Sequence, residues 1–179
     1  MIINNEKQLY LSATGFYVSG LDMAAKVKNA RNDEAWRIVP VATVNLSFAT
    51  ELFLKFLIYS TTQTKEIKKH EFLVLYEKLP HKIARKIKTK YDELSKLESD
   101  LPIIRLSSNT DFGNPDDQKT KYNMPSLTIE QLLEVHNNSF PEWRYAYAKE
   151  ERYFVIDYNF KLMNDFILSM IHVIEEEID

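Results

Sequence analysis

Three polar residues, Ser47, Glu51 and Lys55, stand four positions apart along the otherwise apolar stretch NLSFATELFLKFLIYS. On an α-helix this spacing places all three on one narrow stripe. A carboxylate on such a helix requires a partner, because an unpaired buried charge costs several kcal/mol. Lys55 can pair with it one turn away at a partly exposed edge, or Arg144 or a tyrosine hydroxyl can bind it in a semi-buried network. A third interpretation, in which Glu51 and Lys55 contact a ligand, stays open.

A second group that could do chemistry is the aromatic block Trp143, Tyr145 and Tyr147, which surrounds Arg144 in the segment FPEWRYAYA. Such rings most often pack in a core or an interface, where a guanidinium binds a carboxylate through two hydrogen bonds. The alternative is a cleft in which the rings stack on a nucleobase and Arg144 holds a phosphate. These four residues are therefore candidate binding residues.

Histidine and cysteine usage argues against metal chemistry. The histidines, at positions 70, 81, 136 and 172, show no HxH or HxxxH spacing, and the chain has no cysteine. The sequence therefore predicts no metal site and no cofactor, and three glycines are too few for a phosphate-binding loop. His70 is expected to start a helix and to bond local backbone, and it is also a candidate binding residue.

Charge is distributed unevenly along the chain. The net charge is −3, yet the segment from Lys65 to Lys90 contains nine Lys or Arg against three Glu. A basic segment in an acidic protein can contact phosphates or the acidic face of a partner. Lys82, Arg85 and Lys86 are the candidate nucleic-acid-binding residues within it. The alternative is a solvated helical face, because no aromatic residues alternate with these charges.

The elements that position these residues are helical. Apolar residues recur at intervals of three and four, which predicts an all-α antiparallel bundle of five to six helices in one domain, residues 1–179. The predicted helices cover about 6–28, 36–60, 70–80, 81–99, 128–138 and 157–178. Thr128 and Gln131 predict a capping box at the start of the fifth helix. Residues 100–126 are predicted to form a long irregular loop, and 152–158 a brief extended piece.

Composition indicates a soluble globular protein of the cytoplasm. Apolar residues make up 45% and charged residues 27% of the chain. The lack of cysteine fits a reducing compartment, and the N-terminus lacks the basic start and apolar core of a signal peptide. Charges interrupt the apolar runs before the roughly 20 residues that a membrane helix needs. We therefore expect no membrane contact.

Three blocks of the chain, in order, resemble the bacterial HEPN-like proteins (higher eukaryotes and prokaryotes nucleotide-binding), in the subgroup with a WRY motif. The blocks are similar to an ELxLKxLL core, a GHxLxxLxxxLP segment and an FxxWRYxYE segment. The matching residues are Glu51, Leu52, Leu54, Lys55 and Leu57, then His70, Phe72, Leu75 and Leu79, then Phe140, Trp143, Arg144, Tyr145 and Tyr147. The resemblance covers most of residues 40–175.

The resemblance implies an all-α bundle, often a homodimer, from toxin–antitoxin, phage-defence or RNA-processing systems. Many relatives are metal-independent ribonucleases that use an Arg and a later His with four to six residues between them. In this chain no arginine is followed by a histidine at four to seven positions, and Ala148 stands where the third motif has Glu. We therefore expect a non-catalytic module that binds RNA, a nucleotide or a protein partner, with no catalytic residue.

Two alternatives stay open at this point. The first is a ribonuclease with a non-standard constellation, such as His70, Arg144 and Glu150. The second is a regulatory partner of a neighbouring toxin or nucleotidyltransferase, which would bind that protein through the loop at 100–126.

Overall fold

Two long helices, α1 (Asn5–Val27) and α2 (Asp33–Thr62), pack along each other in the computed structural model. The structure describes residues 5–31, 33–64, 67–107, 122–145 and 155–178. The close approach of α1 and α2 depends on Gly20, because a Cβ at this position would lie 2.8 Å from Leu46 Cγ and 3.0 Å from the Leu46 backbone nitrogen. A larger side chain here would push the two helices apart.

Helix α2 is the innermost element, as its apolar sequence predicts. It contacts α1, α3, α6 and α7, and thirteen of its residues are buried. Among the described residues it alone is long and apolar enough to cross a membrane, but 72% of its most apolar 18-residue window is buried inside the protein. This burial is consistent with the core helix of a soluble protein. Pro40 lies inside α2 and lacks the amide hydrogen that would bond the Trp36 carbonyl.

Five shorter helices complete the bundle: α3 (Phe72–Glu77), α4 (His81–Leu94), α5 (Ile129–His136), α6 (Ser139–Arg144) and α7 (Phe160–Glu177). The described residues thus form seven helices and one two-stranded sheet, which confirms the all-α class. The capping box of Thr128 and Gln131 is present at the start of α5. The count exceeds the predicted five to six because α6, with six residues, is too short to produce a periodic pattern.

A short antiparallel sheet joins β1 (Ile103–Ser107) to β2 (Val155–Asn159) and pairs Arg105 with Asp157. Strand β2 confirms the extended piece predicted near 152–158. Strand β1 corrects the prediction of an irregular loop from residue 100, because the apolar run IIRLS finds a pairing partner in β2. The rest of that predicted loop, residues 108–121, lies outside the described part of the chain.

Asn159 connects β2 to α7 and to α5. Its side-chain oxygen accepts from the Leu162 amide at 2.8 Å, and its Nδ2 donates to the Met124 carbonyl at 2.6 Å. Its backbone amide donates to His136 Nε2 at 3.0 Å, while His136 Nδ1 donates to the Leu132 carbonyl at 2.8 Å. The His136 ring is fully buried and neutral, and burial lowers its pKa to about 4.

Candidate functional site

The structure brings together three of the residues that the sequence singles out: Glu51, Lys55 and His70, called the Glu51 cluster below. Glu51 Oε1 accepts hydrogen bonds from Lys55 Nζ and His70 Nδ1, both at 2.8 Å. The side chains of Glu51 and Lys55 are only 10% and 15% exposed, whereas the His70 side chain is 73% exposed. The cluster is therefore a buried carboxylate that holds an imidazole at the surface.

These contacts show which side chains pair with Glu51 in the described part of the chain. Glu51 pairs with Lys55 one turn away, and its second partner is His70 rather than Arg144 or a tyrosine hydroxyl. Ser47, the third member of the stripe, is fully buried and lies 3.4 Å from the Tyr158 hydroxyl. The stripe thus faces protein at one end and reaches the surface only at the Glu51 cluster.

The contact between Glu51 and His70 depends on the turn that follows α2. Gln63 has a φ of 58°, in the left-handed region that costs a residue with a side chain about 1–2 kcal/mol. Its amide donates to the Tyr59 carbonyl at 2.9 Å, which ends the helix. The chain then returns along α2. Because α3 begins only at Phe72, His70 precedes the helix, and its ring binds Glu51 instead of local backbone.

The geometry determines what the imidazole of His70 can do. An ionised carboxylate only accepts hydrogen bonds, so His70 donates from Nδ1 to Glu51. Its Nε2 is then an acceptor on an exposed side chain. A histidine oriented in this way by a buried carboxylate can take a proton from a hydroxyl group, as a general base does. The same nitrogen can also accept a hydrogen bond from a bound ligand.

A cavity of about 210 Å³, called the lysine pocket below, lies at the C-terminal end of α2. Its polar walls are formed by Thr62, Thr64, Lys68, Lys69 and Lys78. Lys69 directly precedes His70, so the pocket adjoins the Glu51 cluster. Among the described residues Lys78 has no carboxylate partner. The predicted basic segment contains these lysines without distinguishing them, although the Lys68–Lys69 pair beside His70 was an available signal.

Helix α4 carries the predicted nucleic-acid contacts, and two of them pair with the end of α7. Lys82 Nζ lies 2.6 Å from Glu177 Oε2, and Lys86 Nζ lies 2.6 Å from Glu177 Oε1 and 3.0 Å from Glu176 Oε2. Hydrogen bonds from Lys82 and Lys86 lower the pKa of Glu177 to about 2. Arg85 has no carboxylate partner in the described part of the chain. The chain itself therefore neutralises much of this face.

The described part of the aromatic block divides between the interior and the surface of the protein. Trp143 is 2% exposed and lines a cavity, whereas Tyr145 is 48% exposed. The Arg144 guanidinium lies 5.3 Å from the centroid of the Tyr145 ring and 5.9 Å from that of Phe140, a cation–π arrangement at the surface. Two other residues named from the sequence, Tyr147 and Glu150, lie outside the described part of the chain.

Within the described ranges, no three His, Asp or Glu side chains converge in a way that could hold a metal ion. A scan against protein-family models gave no match, and searches of curated proteins and of solved structures gave none either. The Glu51 cluster and the lysine pocket are therefore the features on which a functional proposal depends.

Proposed function

We propose that this protein is a non-catalytic, HEPN-like module of the cytoplasm that binds single-stranded RNA across the lysine pocket and the Glu51 cluster. The supporting observation is the grouping of three lysines, two threonine hydroxyls and one exposed imidazole at the same end of α2. Lysine ammonium groups and threonine hydroxyls both bind phosphate oxygens. A free nucleotide would use the same groups for its phosphates.

The number of lysines in the pocket sets the expected salt dependence. Lys68 already interacts with another residue of this chain, so Lys69 and Lys78 are counted as two phosphate contacts. Two contacts to a single strand give a slope of about −1.4 for log affinity against log salt, so affinity should fall about sevenfold between 50 and 200 mM. Lys82 and Lys86 should add little to this slope because Glu176 and Glu177 already neutralise them.

Fluorescence anisotropy with a short labelled RNA of mixed sequence tests the proposal. Combining Lys69→Gln with Lys78→Gln should weaken binding about tenfold or more at low salt. The control combines Lys26→Gln with Lys96→Gln, which makes the same change in net charge at exposed positions outside the pocket. An equal loss in both double variants, or an affinity that does not respond to salt, would contradict the proposed site.

A second candidate function, RNA cleavage, is favoured by the 2.8 Å hydrogen bond between Glu51 and His70. In this reaction His70 Nε2 would take the proton of a 2′-hydroxyl, and the 2′-oxygen would attack the adjacent phosphorus. The 5′-oxygen would leave with a proton from water. The products would be a 2′,3′-cyclic phosphate and a 5′-hydroxyl.

Incubation with a mixed RNA pool distinguishes binding from cleavage. If the protein is an enzyme, wild type should shorten the RNA, His70→Ala should abolish the activity and Glu51→Gln should reduce it. His81→Ala, a change at another exposed histidine, should leave the activity intact. RNA that stays full length while the anisotropy assay reports binding would remove the enzyme hypothesis.

We further propose that two copies associate through the outer face of α1. Leu11 and Val18 are 57% and 51% exposed there, and nothing lies within 4 Å of a Cβ placed on Gly15 between them. Antiparallel packing about a two-fold axis near Gly15 would place Leu11 against Val18 of the second copy and Lys7 against Asp22. This face therefore complements itself in both apolar surface and charge, as a two-fold interface must.

Light scattering at micromolar concentration tests the dimer. Lys7→Glu should shift the protein toward the monomer, and adding Asp22→Lys should restore the dimer because it restores both ion pairs with reversed signs. A monomeric wild type, or a Lys7→Glu variant that is dimeric to the same extent as wild type, would contradict this interface.

Binding of a neighbouring toxin or nucleotidyltransferase through residues 100–126 stays a prediction. One observation supports this prediction: strand β1, which opens the segment, is held in place by pairing with β2. Removal of residues 108–121 should abolish co-purification of such a partner. A partner that still co-purifies would contradict this prediction.

A further inference from the structure

A largely apolar cavity of about 310 Å³ lies at the opposite end of α2 from the lysine pocket. Its walls come from the end of α1 and the turn after it, and from α2, β1 and α6; they include Trp36, Val39, Pro40, Ile104, Arg105 and Trp143. At a rise of 1.5 Å per residue, Trp36 lies roughly 22 Å along α2 from Glu51. The cavity is therefore separate from the proposed RNA site, and no inference about it depends on that function.

Both tryptophans of this chain line this cavity, and they differ in exposure. Trp36 is 48% exposed at the rim, and Trp143 is 2% exposed. The Trp143 Nε1–H is buried and has no acceptor among the described residues. An unsatisfied buried donor costs about 1–3 kcal/mol. A ligand that accepts a hydrogen bond from this N–H should therefore bind more tightly than one that does not.

Arg105 adds a guanidinium to the wall without adding net charge. Its Nε donates to Asp157 Oδ1 at 2.7 Å and its Nη2 donates to Asp157 Oδ2 at 3.1 Å, and the Asp157 side chain is only 4% exposed. The carboxylate therefore neutralises the cation and fixes the plane of the guanidinium. Together with two indoles, this planar group favours an uncharged flat ring over a small anion.

We propose that this cavity binds a planar, uncharged heteroaromatic molecule whose ring carries a hydrogen-bond acceptor for the Trp143 indole N–H. The indole rings and the aliphatic wall would cover the faces of the ligand. The acceptor atom would satisfy the unpaired donor. The volume of about 310 Å³ lies at the lower end of the range for small-molecule pockets, which suits a bicyclic ring.

Quinoline and naphthalene are a matched pair of probes, since they have the same shape and only quinoline carries a ring nitrogen. Two-dimensional ¹H–¹⁵N spectra of the ¹⁵N-labelled protein contain one indole signal from each tryptophan, and both signals report on this cavity. Quinoline at neutral pH should shift the Trp143 signal downfield in a saturable way. It should bind roughly two- to tenfold more tightly than naphthalene, the range expected for one hydrogen bond.

Two variants, each replacing an alanine by leucine, distinguish binding in the cavity from binding elsewhere. Ala35→Leu places a larger side chain on the cavity wall and should abolish the shift. Ala25→Leu makes the same change on the exposed side of α1 and should leave the titration unchanged. The proposal is overturned if quinoline gives no saturable shift, if naphthalene binds as tightly, or if Ala35→Leu binds like wild type. A folded spectrum of Ala35→Leu excludes loss of structure as the cause.

Discussion

The buried imidazole of His136 predicts a specific dependence of stability on pH. Its Nε2 accepts from the Asn159 amide, so a proton added to the folded protein would replace this hydrogen bond with two opposed donors. Burial lowers the pKa of His136 from 6.5 to about 4. Between these values the unfolded chain binds a proton that the folded protein does not bind. The contribution of the neutral His136 ring to the free energy of unfolding is therefore complete above pH 6.5 and is lost as the pH falls toward 4.

The size of the effect follows from the difference between the two pKa values. Linkage gives a loss of about 2 kcal/mol at about pH 5 and about 3 kcal/mol at about pH 4. His136→Gln keeps one donor and one acceptor but does not titrate. At neutral pH it should be less stable than wild type by about 1–3 kcal/mol because its hydrogen bonds are displaced. This deficit should shrink by about 2 kcal/mol at about pH 5.

Urea denaturation followed by tryptophan fluorescence measures the free energy of unfolding of each variant at several pH values. The comparison between variants removes the contribution of other titrating groups. His81→Gln, at an exposed position, should follow the wild-type pH profile. If wild type and His136→Gln lose the same free energy between neutral pH and about pH 5, the buried neutral imidazole is not the source of the acid sensitivity.

Further substitutions test the packing of α1 on α2, the turn after α2 and the ion pair between Arg105 and Asp157. Each is measured by the free energy of unfolding in urea. Gly20→Ala should destabilise the protein by about 1–3 kcal/mol because the added methyl group would lie 2.8 Å from Leu46 Cγ. Gly15→Ala is the matched control: its methyl group meets nothing within 4 Å, so it should stabilise the monomer by up to about 1 kcal/mol. Gln63→Gly should stabilise by about 0.5–1 kcal/mol because it removes the left-handed strain, and a loss of stability would contradict this account. Asp157→Asn should destabilise by about 1–3 kcal/mol because it weakens both hydrogen bonds from Arg105, and an unchanged stability would show that these bonds contribute nothing net.

Elements stabilised by neighbouring residues are the ones that the sequence predicts well. The capping box closes within three residues, with Thr128 Oγ1 accepting from the Gln131 amide at 3.3 Å and Gln131 Oε1 accepting from the Thr128 amide at 3.0 Å. Helix α5 begins at the next residue, Ile129. The apolar character of α2 likewise identifies it as the central helix, because a helix that is apolar around most of its circumference is typically buried.

Contacts between distant parts of the chain could not be predicted in the same way. Glu51 and His70 are 19 residues apart, and their contact depends on a left-handed turn at Gln63, where no glycine signals one. Lys86 and Glu176 are 90 residues apart, so the basic run on α4 gives no sign of its acidic neighbours. In both cases the folded topology, rather than local propensity, decides which charges meet.

The ion pairs at the end of α7 make that helix an internal electrostatic shield. The carboxylates of Glu176 and Glu177 occupy the places against Lys82 and Lys86 that phosphate oxygens of a polyanion would otherwise take. A nucleic acid that approaches α4 must first displace these two glutamate side chains. Because they belong to the same molecule as the lysines, their pairing requires no loss of translational freedom. The ion pairs therefore weaken the attraction of α4 for any polyanion, whatever its sequence.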